Sequence, residues 1–261
     1  MEIYIIKKRN RIFLITFAII AVLSVFSMIL TEYDPEKALV SIPKALHWMV
    51  TNFYPNGESL EKLPQILIKL KETIFLAIVS TTTASVLALL FGLLGSEITK
   101  INGVLTSISR FIASAFRNVP DVVWAMILLF SFGQNALTGY FALFFVSFGT
   151  LTRAFIESID ESSESVVEAL ESTGASFFQI VFQGIIPSVL PQLISWILFM
   201  IETNIRSSTL IGILTGTGIG FIFNLYYQGM NYNAAGLVVI SIVISVLIIE
   251  SLSNYIRRAI L

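Results

Sequence analysis

The sequence predicts an all-α integral membrane protein with about six spanning helices, and three observations carry that prediction. Hydrophobic residues make up 56% of the 261 residues and charged ones only 13%, where soluble domains carry about 25% charge. Apolar stretches long enough to cross roughly 30 Å of hydrocarbon, about 20 residues each, recur along the chain. Lys and Arg gather at both ends, as cytoplasmic flanks of membrane segments do. The spans fall at about 12–30, 73–95, 111–133, 136–156, 190–213 and 236–253. Arg117, Pro120 and Asp121 interrupt the third.

The first span follows Lys7, Lys8, Arg9 and Arg11. Its apolar run exceeds the 7–15 residues of a signal peptide, and Ser27 to Thr31 offers no small-x-small cleavage site, so an uncleaved helix is the better reading. Segment 31–72 holds Pro35, Pro43, Pro55, Asn56, Gly57 and Pro64 between apolar runs too short to span. It reads as an outer, partly interfacial segment. The basic N-terminus and the tail Arg257-Arg258 then place both termini in the cytoplasm, together with the segments near Lys100 and Arg110 and the loop 157–187. Against this stand Lys37, Lys44, Lys62, Lys69 and Lys71 in the outer segment. Long loops weigh less than short flanks in orientation. Two regions result: 1–64, with the N-terminal tail, first span and outer segment, and 65–261, the transmembrane core with its loop 157–187.

Net charge of −1 argues against nucleic-acid binding, and the absence of cysteine excludes disulfides and thiol catalysis. One histidine, His47, beside Trp48, supports neither a metal cluster nor a Ser-His-Asp set. Gly216-x-Gly218-x-Gly220 follows a membrane helix rather than a strand, so a turn or tight helix contact is preferred over a phosphate loop.

The loop is the most informative stretch. Glu157, Glu161, Glu164, Glu168 and Glu171 are spaced by four, three, four and three, one stripe of a helix. Ile159, Ser163, Val166, Val167, Leu170 and Gly174 form the more apolar face. Gly174 permits a sharp bend, a short apolar helix spans Phe177 to Phe182, and Pro187 starts the next element. From Glu168 the chain reads EALESTGASFFQIVFQGIIP.

That stretch resembles the coupling loop of type I ABC-importer permeases: Glu-Ala-Ala, three residues, Gly, nine residues, Ile-x-Leu-Pro. Glu168, Ala169, Gly174 and Pro187 fall in register, while Leu170, Gly184 and Ile186 replace the third, Ile and Leu positions. The variant is similar to the phosphonate permease family, as are Arg117-Asn118-Val119-Pro120-Asp121-Val122-Val123-Trp124-Ala125 and Glu202-Thr203-Asn204-Ile205-Arg206 leading to Gly216–Gly220. The resemblance covers roughly residues 65 to 255.

It implies a five-helix permease core plus an N-terminal helix, and a non-enzymatic subunit of the cytoplasmic membrane of a prokaryote. It further implies a second permease copy or related chain, ABC ATPases docked through Glu168, Ala169, Gly174 and Pro187, and an extracytoplasmic solute-binding protein. No GxxxxGK[ST] occurs in the chain, so no cofactor is expected here and ATP would be bound by the partner. Phosphonate or a related phosphorus oxyanion is the implied solute, with methionine- or osmolyte-type import as the alternative. A secondary transporter lacks the expected internal repeat, and a purely structural role sits poorly with intramembrane charge.

Those charges are Glu202 and Arg206, four apart on one helix face with Asn204 nearby, and Arg117 and Asp121, flanking Pro120 with Asn118 beside them. A charge at mid-membrane costs about 2.5–3.5 kcal/mol on insertion scales. The Glu202–Arg206 pair therefore reads equally as a helix-orienting pair or as part of a pathway. Around Pro120 a kink is the plain reading and a gate the one the resemblance favours.

Overall fold

The computed structural model describes residues 2–162 and 164–260, and all regular structure among them is helical. The chain divides into two compact units, 1–52 and 53–261.

In the first unit, α1 (Glu2–Leu30) is an apolar helix with every described side chain exposed. Glu32 turns the chain at φ 52°. Asp34 then caps α2 (Pro35–Asn52), its Oδ1 accepting from the Glu36 and Lys37 N–H groups at 3.1 Å. The Lys37 backbone and ammonium hydrogen bonds hold the Asp34 carboxyl below its usual range. Leu39, Ile42, Leu46, Met49 and Val50 share one side of α2, opposite Lys37, Lys44 and His47. That amphipathic pattern suits an interface better than a span.

The second unit opens with the short α3 (Gly57–Leu60) and α4 (Leu63–Gly95). Phe53 and Tyr54 dock onto the unit's last helix: the Asn233 amide donates to the Tyr54 carbonyl at 2.6 Å, and the Phe53 carbonyl lies where a Cβ on Gly236 would stand. The helix α4 begins ten residues before the expected 73 because Pro64 lies in its first turn. There the missing N–H would have had no helical partner anyway. At 33 residues it is about 50 Å long and overshoots the hydrocarbon.

The third span is not one helix. Instead α5 (Gly103–Asn118) and α6 (Asp121–Phe132) meet at 89°. Pro120 pushes Val119 out of the helical region, to φ −92° and ψ 120°, and caps α6 itself. The remaining elements are α7 (Ala136–Ser162), α8 (Glu164–Ser172), α9 (Phe177–Gln179), a π-helical turn (Ile180–Ile185), α10 (Ile186–Thr215), α11 (Gly218–Gln228) and α12 (Tyr232–Ile260). Among the described residues, five helices are long and apolar enough to cross a membrane, or six with the bent pair counted as one span.

Packing centres on α4, α7 and α10. Ala77, Ala84, Ala88, Gly92 and Gly95 are buried along one side of α4, and a Cβ on Gly92 would sit 3.0 Å from that of Phe155 on α7. Small residues thus let the two backbones approach, the usual solution where lipid offers no hydrophobic drive between helices. Between these helices the Asn204 amide donates to Thr81 Oγ1 at 2.8 Å and Ser147 Oγ at 2.6 Å. Each hydroxyl passes its own proton to a carbonyl one turn back, at 2.7 Å in both cases.

The Gly216–Gly220 stretch is both a turn and a tight contact. Gly216 ends α10 in the left-handed region at φ 69°, and Gly218 restarts the chain at φ 62°. Thr73 Oγ1 accepts from the Ile219 N–H at 2.8 Å. At Gly220 an added Cβ would run into the Thr209 carbonyl and come within 3.0 Å of Ile213 N. Gly220→Val should therefore separate α10 from α11, lowering stability in detergent by more than about 3 kcal/mol, beyond ordinary overpacking. Gly57→Ala, which meets open space, should leave the thermal unfolding midpoint nearly unchanged.

Candidate functional site

Two places in the second unit carry polar groups that packing alone does not require. The first is the segment between α7 and α10. The sequence suggests one helix from Glu157 to Glu171. The structure instead ends α7 at Ser162 and starts α8 at Glu164, with Ser163 and the Glu164 side chain outside the described residues. Glu157 belongs to α7 and pairs with Arg153 at 2.6 Å. Glu161, Glu168 and Glu171 are exposed, with no ion pair among the described residues. Ile159 is wholly buried, and Val167 and Leu170 pack on the main core.

After α8 the chain makes a Schellman turn. The Ala175 N–H reaches the Leu170 carbonyl at 3.2 Å, the Gly174 N–H reaches that of Glu171 at 3.0 Å, and Gly174 takes φ +77°. Ser176 then starts α9, its N–H donating to Gln179 Oε1 at 2.8 Å. From Phe177 the helix runs through the π-helical turn into α10 without a break, 39 residues to Thr215. The separate short helix expected over Phe177–Phe182 is thus the first part of that long run. Pro187 lies exposed in the first turn of α10, where it opens the α-helical part of that run as expected.

Two of the three departures from the coupling-loop pattern, Leu170 and Gly184, compensate each other. A Cβ on Gly184 would collide with Leu170 Cδ1 and come within 3.1 Å of Val166 Cγ1. Leu170 fills the space that a side chain at 184 would take, pressing α8 onto the π-helical turn. At the same end, Arg110 fastens the loop after α4 to α7. Its guanidinium lies 3.3 Å from Asp160 and 3.4 Å from Glu97, and its Nε–H donates to the Gly95 carbonyl at 2.7 Å. Asp160 also accepts from the Glu97 N–H at 2.9 Å. Lys100, by hydrogen bond and then by charge, holds the Glu97 carboxyl below its usual range, and Arg110 adds to that. None of this clasp was legible from spacing, since its members come from three elements.

The second place is the interior charge. Glu202 is buried and lies 3.1 Å from Arg206, whose side chain is 50% exposed. On its other side stands Arg257 of α12, 3.9 Å from Glu202. In the sequence Arg257 stands only as part of a basic tail, and no local spacing relates it to Glu202. Asn204 belongs to the hydroxyl network above. Arg117, Asn118 and Pro120 are exposed at the bend between α5 and α6, and Asp121 accepts from the Val122 N–H at 2.8 Å. No ion pair joins Arg117 to Asp121 among the described residues. Gly149 of α7 lets the Arg117 backbone approach closely, since a Cβ there would lie 2.6 Å from Arg117 N. Ser147 is two residues away, about 3 Å along the helix, so the bend lies near the depth of Asn204.

A bundle of apolar helices with charge inside it and a folded helix–turn–helix at one end is the architecture of a multi-pass membrane permease. The model for the family of binding-protein-dependent transport system inner membrane components matches residues 84–260, and this chain belongs to that family. It is 27% identical over 256 residues to a candidate phosphite transport system permease protein, HtxC, of Stutzerimonas stutzeri, covering 98% of this chain and 89% of that one. It is 28% identical over 190 residues to the phosphate-import permease protein PhnE of Mycolicibacterium smegmatis, covering 73% of this chain but 36% of that one. Among solved structures, the MetNI methionine ABC transporter in inward-facing form shares the fold at TM-score 0.68 and 23% identity, over 75% of this chain and 96% of that one.

Two outcomes test this geometry. Gly184→Val should lower stability by about 1–3 kcal/mol through overpacking, and Leu170→Ala in the same chain should recover most of it, read by thermal unfolding in detergent. In a double-mutant cycle, Arg206→Met and Glu202→Gln should couple by about 1 kcal/mol. The value falls short of a sealed pair because Arg206 is half exposed and Arg257 remains beside Glu202. Additive effects would mean that the two side chains do not act as partners.

Proposed function

We propose that this permease imports a phosphorus oxyanion of the phosphonate or phosphite type, powered by an ABC ATPase that docks on the α8–α9 segment. The observation that carries the reading is this segment's form: an exposed acidic helix, a left-handed glycine turn and a short helix continuous with the core of the bundle. The relatives named above, two of them permeases for phosphite or phosphate, support the solute class. The methionine permease of Bacillus subtilis, 28% identical over 169 residues, keeps amino-acid import as the second reading.

Glu168 and Glu171 would meet basic groups of the ATPase, and Ala169, Gly174 and Pro187 shape the docking helices. Such an interface associates faster at low salt and weakens as ions screen it. ATP belongs to the partner chain. Two permeases related by a two-fold axis would enclose the path, with Arg117, Asn118, Pro120, Asp121, Glu202, Asn204 and Arg206 as candidates for its lining or gate. An extracytoplasmic binding protein would deliver the solute, and both termini would lie in the cytoplasm.

Glu168→Lys reverses a charge at the surface, and Gly174→Val forces a β-branched residue toward positive φ. Both variants should reach the membrane at normal abundance, yet co-purify with less than about a tenth of the wild-type ATPase and lose phosphite uptake in proportion. Full recovery of the ATPase with both variants would return this segment to an ordinary connection.

A further inference from the structure

Arg257, its side chain 26% exposed, stands out as a cation whose donors are largely unused. Its Nε and Nη2 are buried without a hydrogen-bond partner, and Nη1 makes only a 3.5 Å contact with Asn254 of its own helix. Glu202, its ion-pair partner across the α10–α12 contact, stays at 3.9 Å, beyond hydrogen-bond length. The same carboxylate already holds Arg206 at 3.1 Å. Two guanidinium groups thus share one carboxylate, so the cluster carries one net positive charge (two minus one). No other carboxylate among the described residues lies within ion-pair distance of either arginine. Burying guanidinium N–H groups without hydrogen-bond acceptors is unfavourable. A group that supplies the missing acceptors and the missing negative charge would relieve it.

We propose that Arg206, Glu202 and Arg257 form an oxyanion-binding site inside the permease, with Glu202 as an internal competitor for the guanidinium donors. The class of ligand is a compact tetrahedral oxyanion, phosphate, phosphite or an alkylphosphonate, since the planar fork of arginine matches paired oxygens. Arg206, half exposed, forms the more open side of the site, and Arg257 the less open one. When the anion enters, the carboxylate of Glu202 yields donors to it; when the anion leaves, Glu202 takes them back and prevents a bare cation from remaining in the membrane. The competition keeps affinity modest, which suits a site that must release its ligand. The proposal deepens the solute class stated above and rests on it for the identity of the ligand, but not for the site itself.

The test uses the full-length permease in detergent, with thermal unfolding titrated by inorganic phosphate and by phosphite against chloride at matched ionic strength. Wild type should be stabilised by both oxyanions but not by chloride. Arg257→Gln should bind at least about tenfold more weakly, the effect of losing charge-assisted donors. Arg257→Lys should fall between the two. Glu202→Gln should bind more tightly than wild type, which a merely structural ion pair would not produce. Absence of an oxyanion-specific shift in wild type, or unchanged affinity in both Arg257→Gln and Glu202→Gln, overturns the site. If Arg257→Gln does not fold, the sign of the Glu202→Gln change decides alone. Phosphite uptake by cells separates the two claims: phosphate binding at the cluster without uptake of phosphite or methylphosphonate defeats the solute reading and leaves the site standing. Uptake that Arg257→Gln leaves intact defeats the site and leaves the solute reading.

Discussion

In a hydrocarbon medium each polar group of the chain must find its partner within the protein, and Asn204 is where this one meets that demand for three helices at once. Its amide gives both protons to hydroxyls, Thr81 on α4 and Ser147 on α7. Those hydroxyls are themselves anchored to carbonyls of their own helices. Every proton in this network has an acceptor, so the buried polar side chains specify an alignment instead of weakening it. Interhelical bonds of this kind contribute only about 0.6 kcal/mol on average in membranes. Their weight here lies in register, because the small-residue side of α4 would otherwise tolerate sliding.

Fixing Asn204 also fixes what lies behind it. Residues two apart on a helix are about 200° apart around its axis. With Asn204 turned toward α4 and α7, Glu202 and Arg206 must therefore turn to the opposite side, toward α12, where Arg257 stands. The charge cluster is thus placed by a neutral hydrogen-bond network rather than by its own attractions. This order of dependence makes sense energetically: a salt bridge in low dielectric is weak as a source of stability but strongly constrained in geometry.

Much of this was legible in the sequence wherever the signal was local. Apolar length marked the spans, Gly174 marked a left-handed turn, and the glycines after Thr215 marked a close helix contact. The errors came from two sources. The second span is expected from 73, yet Pro64 already sits in the first turn of that helix, where proline fits. Pro120, flanked by charges, was placed within one span, although it divides two helices at 89°. Nonlocal pairings could not be read at all. Nothing near Glu202 predicts Arg257, and nothing near Arg110 predicts Asp160. Gly184 and Leu170 each look like a departure from the coupling-loop pattern, and only their contact shows that one replaces the volume the other lacks.

The continuity of the helix from Phe177 to Thr215 links the two candidate places physically. A helix is stiff along its axis, and the π-helical turn between α9 and α10 keeps the run unbroken while adding a residue's worth of backbone. The π-helical turn and Pro191, inside α10, are the points of this run at which a helix bends. Beyond them the run carries Asn204, held by its two hydroxyl partners, and Glu202, placed between two arginines. Gly174 lies on the far side of α9, where its left-handed turn separates α8 from the run. Motion imposed through α8 alone would be resisted by the contact of Leu170 with Gly184, which ties α8 back to the π-helical turn. α8, α9 and α10 are thus tied to one another, and this group of helices meets α4 and α7 through Asn204 and α12 through Glu202.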